Sequence, residues 1–298
     1  MTAATATTPT PDARPWLAFA ACSGIWGSTF LVISIGNDAL APVWAATLRL
    51  LLAALLLWAW TRARGVALPA GAALRTALIY GVCQFGLNFP LLYWGETMVP
   101  SGLSAVLYAT LPMSSAFLTH LFGMERLTAP KLAGAVTAFA GVALLFSSTF
   151  TGEIAPAGLL AVFAAATISG VGTVLFKRGP RQDPIGANAV GCAIGAAMSA
   201  AASFALREPH QLPSTAATLL PLLYLTVAGS MGAFVIMSWL VNRWTVTRVS
   251  YVSVIVPVLA LGLGSLVRHE RITATNVAGA VLVLVGLLIG MRRPATSH

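Results

Sequence analysis

Charge is what this 298-residue chain has least of: 8% of its residues are charged and only eight are acidic. A water-soluble globule carries roughly a quarter charged residues, so with 58% hydrophobic residues and a mean hydropathy of +0.86 the chain reads as an integral membrane protein. Its three cysteines, Cys22, Cys83 and Cys192, sit inside apolar runs without ligand spacing, which excludes a disulfide framework and a metal site. The four histidines, His120, His210, His269 and His298, fall near span ends or in connections. There is no His-Glu-x-x-His, no paired-Asp motif for diphosphates and no serine with a histidine at membrane depth, so intramembrane enzyme chemistry is the reading with least support. No catalytic residue, metal or cofactor is expected. No Asp or Glu stands at mid-span either, which removes the usual proton relay or sodium carboxylate.

What is present is a repeat. Pro112 is followed by Glu125-Arg126-Leu127-Thr128, Gly134 and Gly141, and Pro257 by Glu270-Arg271-Ile272-Thr273, Gly279 and Gly286, each displaced by 145 positions. The same offset carries Gly27-Ser28 onto Gly172-Thr173, Phe89 onto Phe234 and Trp94 onto Trp239. One unit has been duplicated. A spanning helix needs about 20 mostly apolar residues, and ten such stretches are expected near 16–36, 42–60, 74–95, 99–121, 130–147, 156–176, 186–206, 216–239, 247–267 and 274–291. The expected organisation is a disordered tail over 1–15, a first repeat over 16–147 and a second over 156–291. Pro42, Pro100, Pro130, Pro156 and Pro184 stand at or before helix starts, where a missing N–H costs little. Thr128 and Thr273 are placed to cap the helices that follow.

The basic residues are unevenly placed between these stretches. Connections on the side of the amino terminus hold thirteen Lys and Arg, from Arg14 to Arg293, and the opposite connections hold Arg207, Arg268 and Arg271. That asymmetry puts both termini in the cytoplasm. It also accounts for the net charge of +9 as a topology signal, without nucleic acid. Five spans per copy is an odd number, so the second copy enters upside down. Inverted-topology repeats mark secondary transporters, which expose a site between the repeats to alternate sides.

The Trp26-Gly27-Ser28 turn, Arg49 inside span 2 and the doubled Pro-x12-Glu-Arg-[Leu/Ile]-Thr with its trailing glycines resemble the EamA family of the drug/metabolite transporter superfamily. The resemblance covers residues 16 to 291 and implies an all-α integral membrane fold of ten helices in two inverted five-helix repeats. It also implies a metabolite exporter of the inner membrane, similar to the YddG-type exporters of aromatic and other neutral amino acids. Export of drugs, purines or other metabolites, a proton-coupled antiporter and a passive channel are the alternatives. The partners expected are a small-molecule substrate and the lipid bilayer, with no nucleic acid and a monomer as the unit. One departure is that span 7 has no arginine matching Arg49.

Polar groups inside spans are the candidates for function, because each is costly in hydrocarbon unless it faces protein or a wet cavity. Tyr80, Gln84 and Asn88 recur every fourth residue and form a stripe on span 3, while Tyr108 in span 4 and Tyr251 in span 9 hold related positions. Trp26, the pair Phe163 and Thr167, and Phe234 complete the expected substrate-contacting set. The competing reading of the stripe is interhelical hydrogen bonding. Pro112, Glu125, Pro257 and Glu270 read as structural. Arg49 also reads as structural, satisfying helix-end carbonyls or pairing with Glu96, against a clamp for a substrate carboxylate. A phosphorylated substrate would call for several buried basic groups and Arg49 is the one within a span, so an uncharged or zwitterionic substrate is expected.

Overall fold

The structure is a computed structural model, described for residues 12–37, 39–99, 101–145, 147, 155–268 and 273–291. Glu270 and residues 1–11 of the expected tail lie outside the described residues. The helices run α1 (Arg14–Asn37), α2 (Pro42–Arg64), α3 (Gly71–Gly81), a first π segment (Val82–Leu87), α4 (Asn88–Gly95), α5 (Ser101–Tyr108), α6 (Leu111–Leu121) and α7 (Ala129–Leu145). The second half runs α8 (Pro156–Arg178), α9 (Pro184–Ala205), α10 (Ala216–Tyr224), a second π segment (Leu225–Gly232), α11 (Ala233–Val241), α12 (Val246–Ser250), α13 (Val252–Arg268) and α14 (Ala274–Gly290). Among the described residues there is no strand. Among the described residues five runs, α1, α2, α8, α9 and the composite Ala216–Val241, are long and apolar enough to cross a membrane. Helix α1 already begins at Arg14, two residues inside the stretch expected as tail.

Local chemistry sets the helix ends. Pro42, Pro156 and Pro184 occupy the first turn of α2, α8 and α9, where φ is already helical and no N–H bond is lost. The Asp183 carboxylate accepts from the backbone N–H groups of Ile185 and Gly186 at the start of α9. Thr273 and Asn276 form a reciprocal capping box at the start of α14. Gly65, at φ 62°, closes α2 in the left-handed region with Arg62 and Arg64 in its last turn, the arrangement that satisfies terminal carbonyls and the helix dipole together.

Helix α2 lies along α9, α7 along α14, α1 against α13 and α4 against α8. The basic connections converge at one end of the bundle. There Arg248 stacks 4.8 Å over Trp16, Lys177 Nζ donates to the Val241 carbonyl at 2.7 Å, and Arg178 lies 5.3 Å from the Phe122 ring. At the other end the Glu208 carboxylate accepts the N–H groups of Val43 and Trp44, at 3.1 and 2.8 Å, and so caps α2. Since α1 starts at the basic end and α8, its counterpart in the second copy, finishes there, the two repeats run in opposite senses. The outer surface is apolar: Leu55, Leu132, Leu160, Val281 and Leu288 are exposed, as expected where the solvent is lipid.

The α7–α14 pair forms a seam away from the bundle centre. A methyl group at Gly134 would meet the backbone of Gly286 and Gly290, one at Gly286 would meet Gly134 and Ala138, and one at Gly141 would lie 2.6 Å from the Val283 nitrogen. Only glycine permits backbones this close, and in a bilayer such contact replaces the hydrophobic driving force that lipid cannot supply.

Candidate functional site

Both π segments fall at the same place in the repeat. The Asn88 N–H donates to the Cys83 carbonyl, and 145 residues later the Ala233 N–H donates to the Ala228 carbonyl, each a five-residue step instead of four. Such bulges rotate the side chains that follow them and recur at functional sites. The first is seated by glycine contacts: the Phe85 ring fills the space left by Gly191 on α9, and its Cβ that left by Gly195.

Around these segments lies a cavity of about 120 Å³ that draws on both repeats. It is of the same order as a roughly 150 Å³ apolar cavity that takes up benzene. The stripe on span 3 forms one polar wall. Tyr108 donates to Asn88 Oδ1, Asn88 Nδ2 donates to the Gln84 carbonyl at 3.1 Å, and Ser169 Oγ on α8 donates to Gln84 Oε1 at 3.0 Å. The stripe therefore lines the cavity and also bonds to neighbouring helices. Aromatic rings make up much of the remaining surroundings: Phe234 meets Trp26 edge-on at 5.1 Å and Phe85 at 4.7 Å, and Tyr80, at the start of the stripe, packs 4.7 Å from Phe176. Trp26 Nε1 donates to the Gly229 carbonyl of the second π segment at 3.4 Å.

Arg49 is buried at 3% exposure. Its Nε donates to Ser230 Oγ at 2.7 Å, its Nη1 to the Tyr93 hydroxyl at 3.0 Å, and its guanidinium lies 5.0 Å from the Phe89 ring. It joins α2 to the second π segment and to α4. Neither alternative partner anticipated from sequence is used: the acceptors are hydroxyls, and among the described residues the one ion pair is Lys131 with Glu125 at 2.7 Å. Glu125 also accepts the Thr247 N–H at 3.3 Å, and Ser250 Oγ donates to Ser115 Oγ at 2.7 Å, so two contacts tie α6 and its following turn to α12. Pro112 opens α6 after a break at Ala109 and Thr110, whereas Pro257 lies within α13.

Trp26, Tyr80, Gln84, Asn88, Tyr108 and Phe234 are brought together around the cavity; Phe163, Thr167 and Tyr251 are not. Phe163 is 48% exposed and Thr167, one turn on, bonds back to its carbonyl, both turned away from the face of α8 that carries Ser169. Tyr251 sits at the break between α12 and α13, which turns its ring against Gly290 of α14. The lining also includes residues outside that expected set, among them Ser169 and Thr173, which continue the inward face of α8 at helical spacing, and Ser115 on α6. The spacing of Ser169 and Thr173 was the available signal.

The sequence profile described as the EamA-like transporter family matches residues 14–147 and again residues 156–291. Protein PagO of Salmonella typhimurium is 27% identical over 282 residues, covering 92% of each chain. A probable amino-acid metabolite efflux pump of the same organism is 28% identical, covering 90% of this chain and 91% of its own. The uncharacterized inner membrane transporter YedA of Escherichia coli is 27% identical over 92% of this chain and 91% of its own. A solved crystal structure superposes with a TM-score of 0.79 over 93% of this chain and 96% of its own, at 21% identity, a likeness of fold.

Proposed function

Because this chain belongs to the EamA-like transporter family, we propose that it exports small neutral metabolites, most of all aromatic and other neutral amino acids, by alternating access without ion coupling. It is a multi-pass membrane transporter and not an enzyme. In our reading it crosses the inner membrane ten times, with the basic end and both termini in the cytoplasm. The observation that carries the substrate class is the cavity lining: neutral amide and hydroxyl groups, the rings of Trp26, Tyr80 and Phe234, and, among the described residues, one cation, Arg49, already engaged by Ser230 and Tyr93. That composition suits a zwitterion with an apolar side chain, and the small volume argues against a nucleotide sugar. Export is supported by the likeness to a probable amino-acid metabolite efflux pump of Salmonella typhimurium. Uptake of a panel of labelled amino acids by protein-containing vesicles, with purines and cationic drugs as controls, tests it. Saturable uptake of L-phenylalanine, L-tyrosine or L-leucine is expected; transport of the cationic drugs alone would overturn it.

One observation favours a second reading, proton-coupled antiport. Glu96 follows α4, and its Oε1 is buried without a hydrogen-bond partner among the described residues. A carboxyl group in that setting could bind a proton in one conformation and release it in another.

A further inference from the structure

The cavity lining is biased in its hydrogen-bonding sense. The Gln84 carbonyl can only accept, so the bond from Asn88 Nδ2 fixes the Asn88 amide, leaving Oδ1 to receive the Tyr108 hydroxyl. Gln84 Oε1 is likewise taken, by Ser169. Both amide oxygens are thus consumed inside the protein. Among the described residues no acceptor is found for Gln84 Nε2 or for the second proton of Asn88 Nδ2, and both side chains line the cavity. These donors stand four residues apart, Gln84 within the first π segment and Asn88 just after it. Arg49 also lines the cavity, and among the described residues no acidic side chain does. A lining that offers N–H donors beside a positive charge and carries no acidic side chain favours an anionic acceptor group over an ammonium.

We infer that Gln84 Nε2 and Asn88 Nδ2 bind the carboxylate of the substrate directly, with Arg49 supplying the potential and holding Tyr93 and Phe89 in place. Arg49 is then a positioning residue, and the first π segment is what carries Gln84 into the cavity. This rests on the amino-acid reading above and adds which groups recognise which end of the molecule.

The test is equilibrium binding of labelled L-phenylalanine and of labelled phenethylamine, the same molecule without its carboxylate, to purified full-length protein. Gln84→Glu keeps the length of the side chain and an acceptor for Ser169, but presents an oxygen where the donor stood. Gln84→Met removes the donor without adding charge. The wild type is expected to prefer L-phenylalanine. Gln84→Glu should weaken it by about tenfold or more, the change that losing a charge-assisted bond produces, while phenethylamine is held or tightened. Gln84→Met should weaken L-phenylalanine by about fivefold with the amine unchanged, and it decides the matter if the glutamate variant fails to fold. A ratio of the two affinities unmoved in both variants, with wild-type binding intact, overturns this inference alone. A wild type that binds no neutral amino acid overturns the substrate reading itself, and this inference with it.

Discussion

The α7–α14 seam and the central cavity are built from the same repeat by opposite means. At the seam, Gly134, Gly141 and Gly286 bring backbones into contact with no room for a methyl group. At the cavity, side chains hold the helices apart and meet through hydrogen bonds from Tyr108 to Asn88, Ser169 to Gln84 and Arg49 to Ser230. In lipid, close packing suffices to join helices, so polar groups are not required for cohesion. Where they gather around a space, they are available for a ligand.

The comparison breaks most visibly at the seam. Gly134→Leu or Gly286→Val should cost about 3 kcal/mol, at the upper end of what overpacking produces, and lower both the yield of folded protein and its melting temperature in detergent. A well-folded variant with an ordinary melting temperature would mean the seam is looser than described. Next come the cavity variants. Asn88→Leu removes the acceptor that Oδ1 offers the Tyr108 hydroxyl and the polar wall that Asn88 presents to the cavity, a cost of about 1 to 3 kcal/mol, and should raise the apparent KM roughly five- to hundredfold with expression intact. Tyr108→Phe should move KM in the same direction. Because the two share a bond, the double variant should lose less than the sum of the singles. Unchanged transport in both singles would return the stripe to interhelical bonding.

A smaller effect is expected at the contact between α6 and α12. Glu125→Gln removes the pairing with Lys131 but keeps an acceptor for the Thr247 N–H, so stability should fall by about 1 kcal/mol or less, whereas Glu125→Ala should fall further. Equal melting temperatures for the two variants would remove any role for the Thr247 contact. The smallest change sharpens the contrast between glycines. Gly24 faces outward on α1 with nothing near a would-be methyl, so Gly24→Ala should raise stability by about 0.5 kcal/mol, opposite in sign to the seam variants.

Much of this was legible in the chain because duplication writes the fold twice. The 145-residue offset, the apolar runs and the basic connections convey the all-helical class, the repeat and its opposed senses without coordinates. The stripe of Tyr80, Gln84 and Asn88 was legible as well, since period-four polarity in an apolar helix has few uses. The π segments were not, because an extra residue per turn leaves no signature in residue type. Their effect is to change which face follows them, and rotation inferred from ideal helices then fails. Tyr251 shows a related limit: a one-residue break between α12 and α13 sends its ring to α14 instead of the cavity. Phe163 and Thr167 were read into the cavity although an apolar ring is equally at home against lipid, and hydropathy cannot separate the two surroundings. The partners of Arg49 come from α4 and the second π segment, 44 and 181 residues away, beyond any local pattern.

The central claim is that this cavity passes neutral amino acids between the two sides without an ion to drive them. Labelled L-phenylalanine should enter reconstituted vesicles until its inner and outer concentrations are equal, saturably and faster than in protein-free vesicles, and an imposed pH gradient of either sign should leave that end point unchanged. Accumulation above the outer concentration under a pH gradient, abolished by an ionophore and absent in Glu96→Gln, would contradict the claim and make Glu96 the coupling carboxylate.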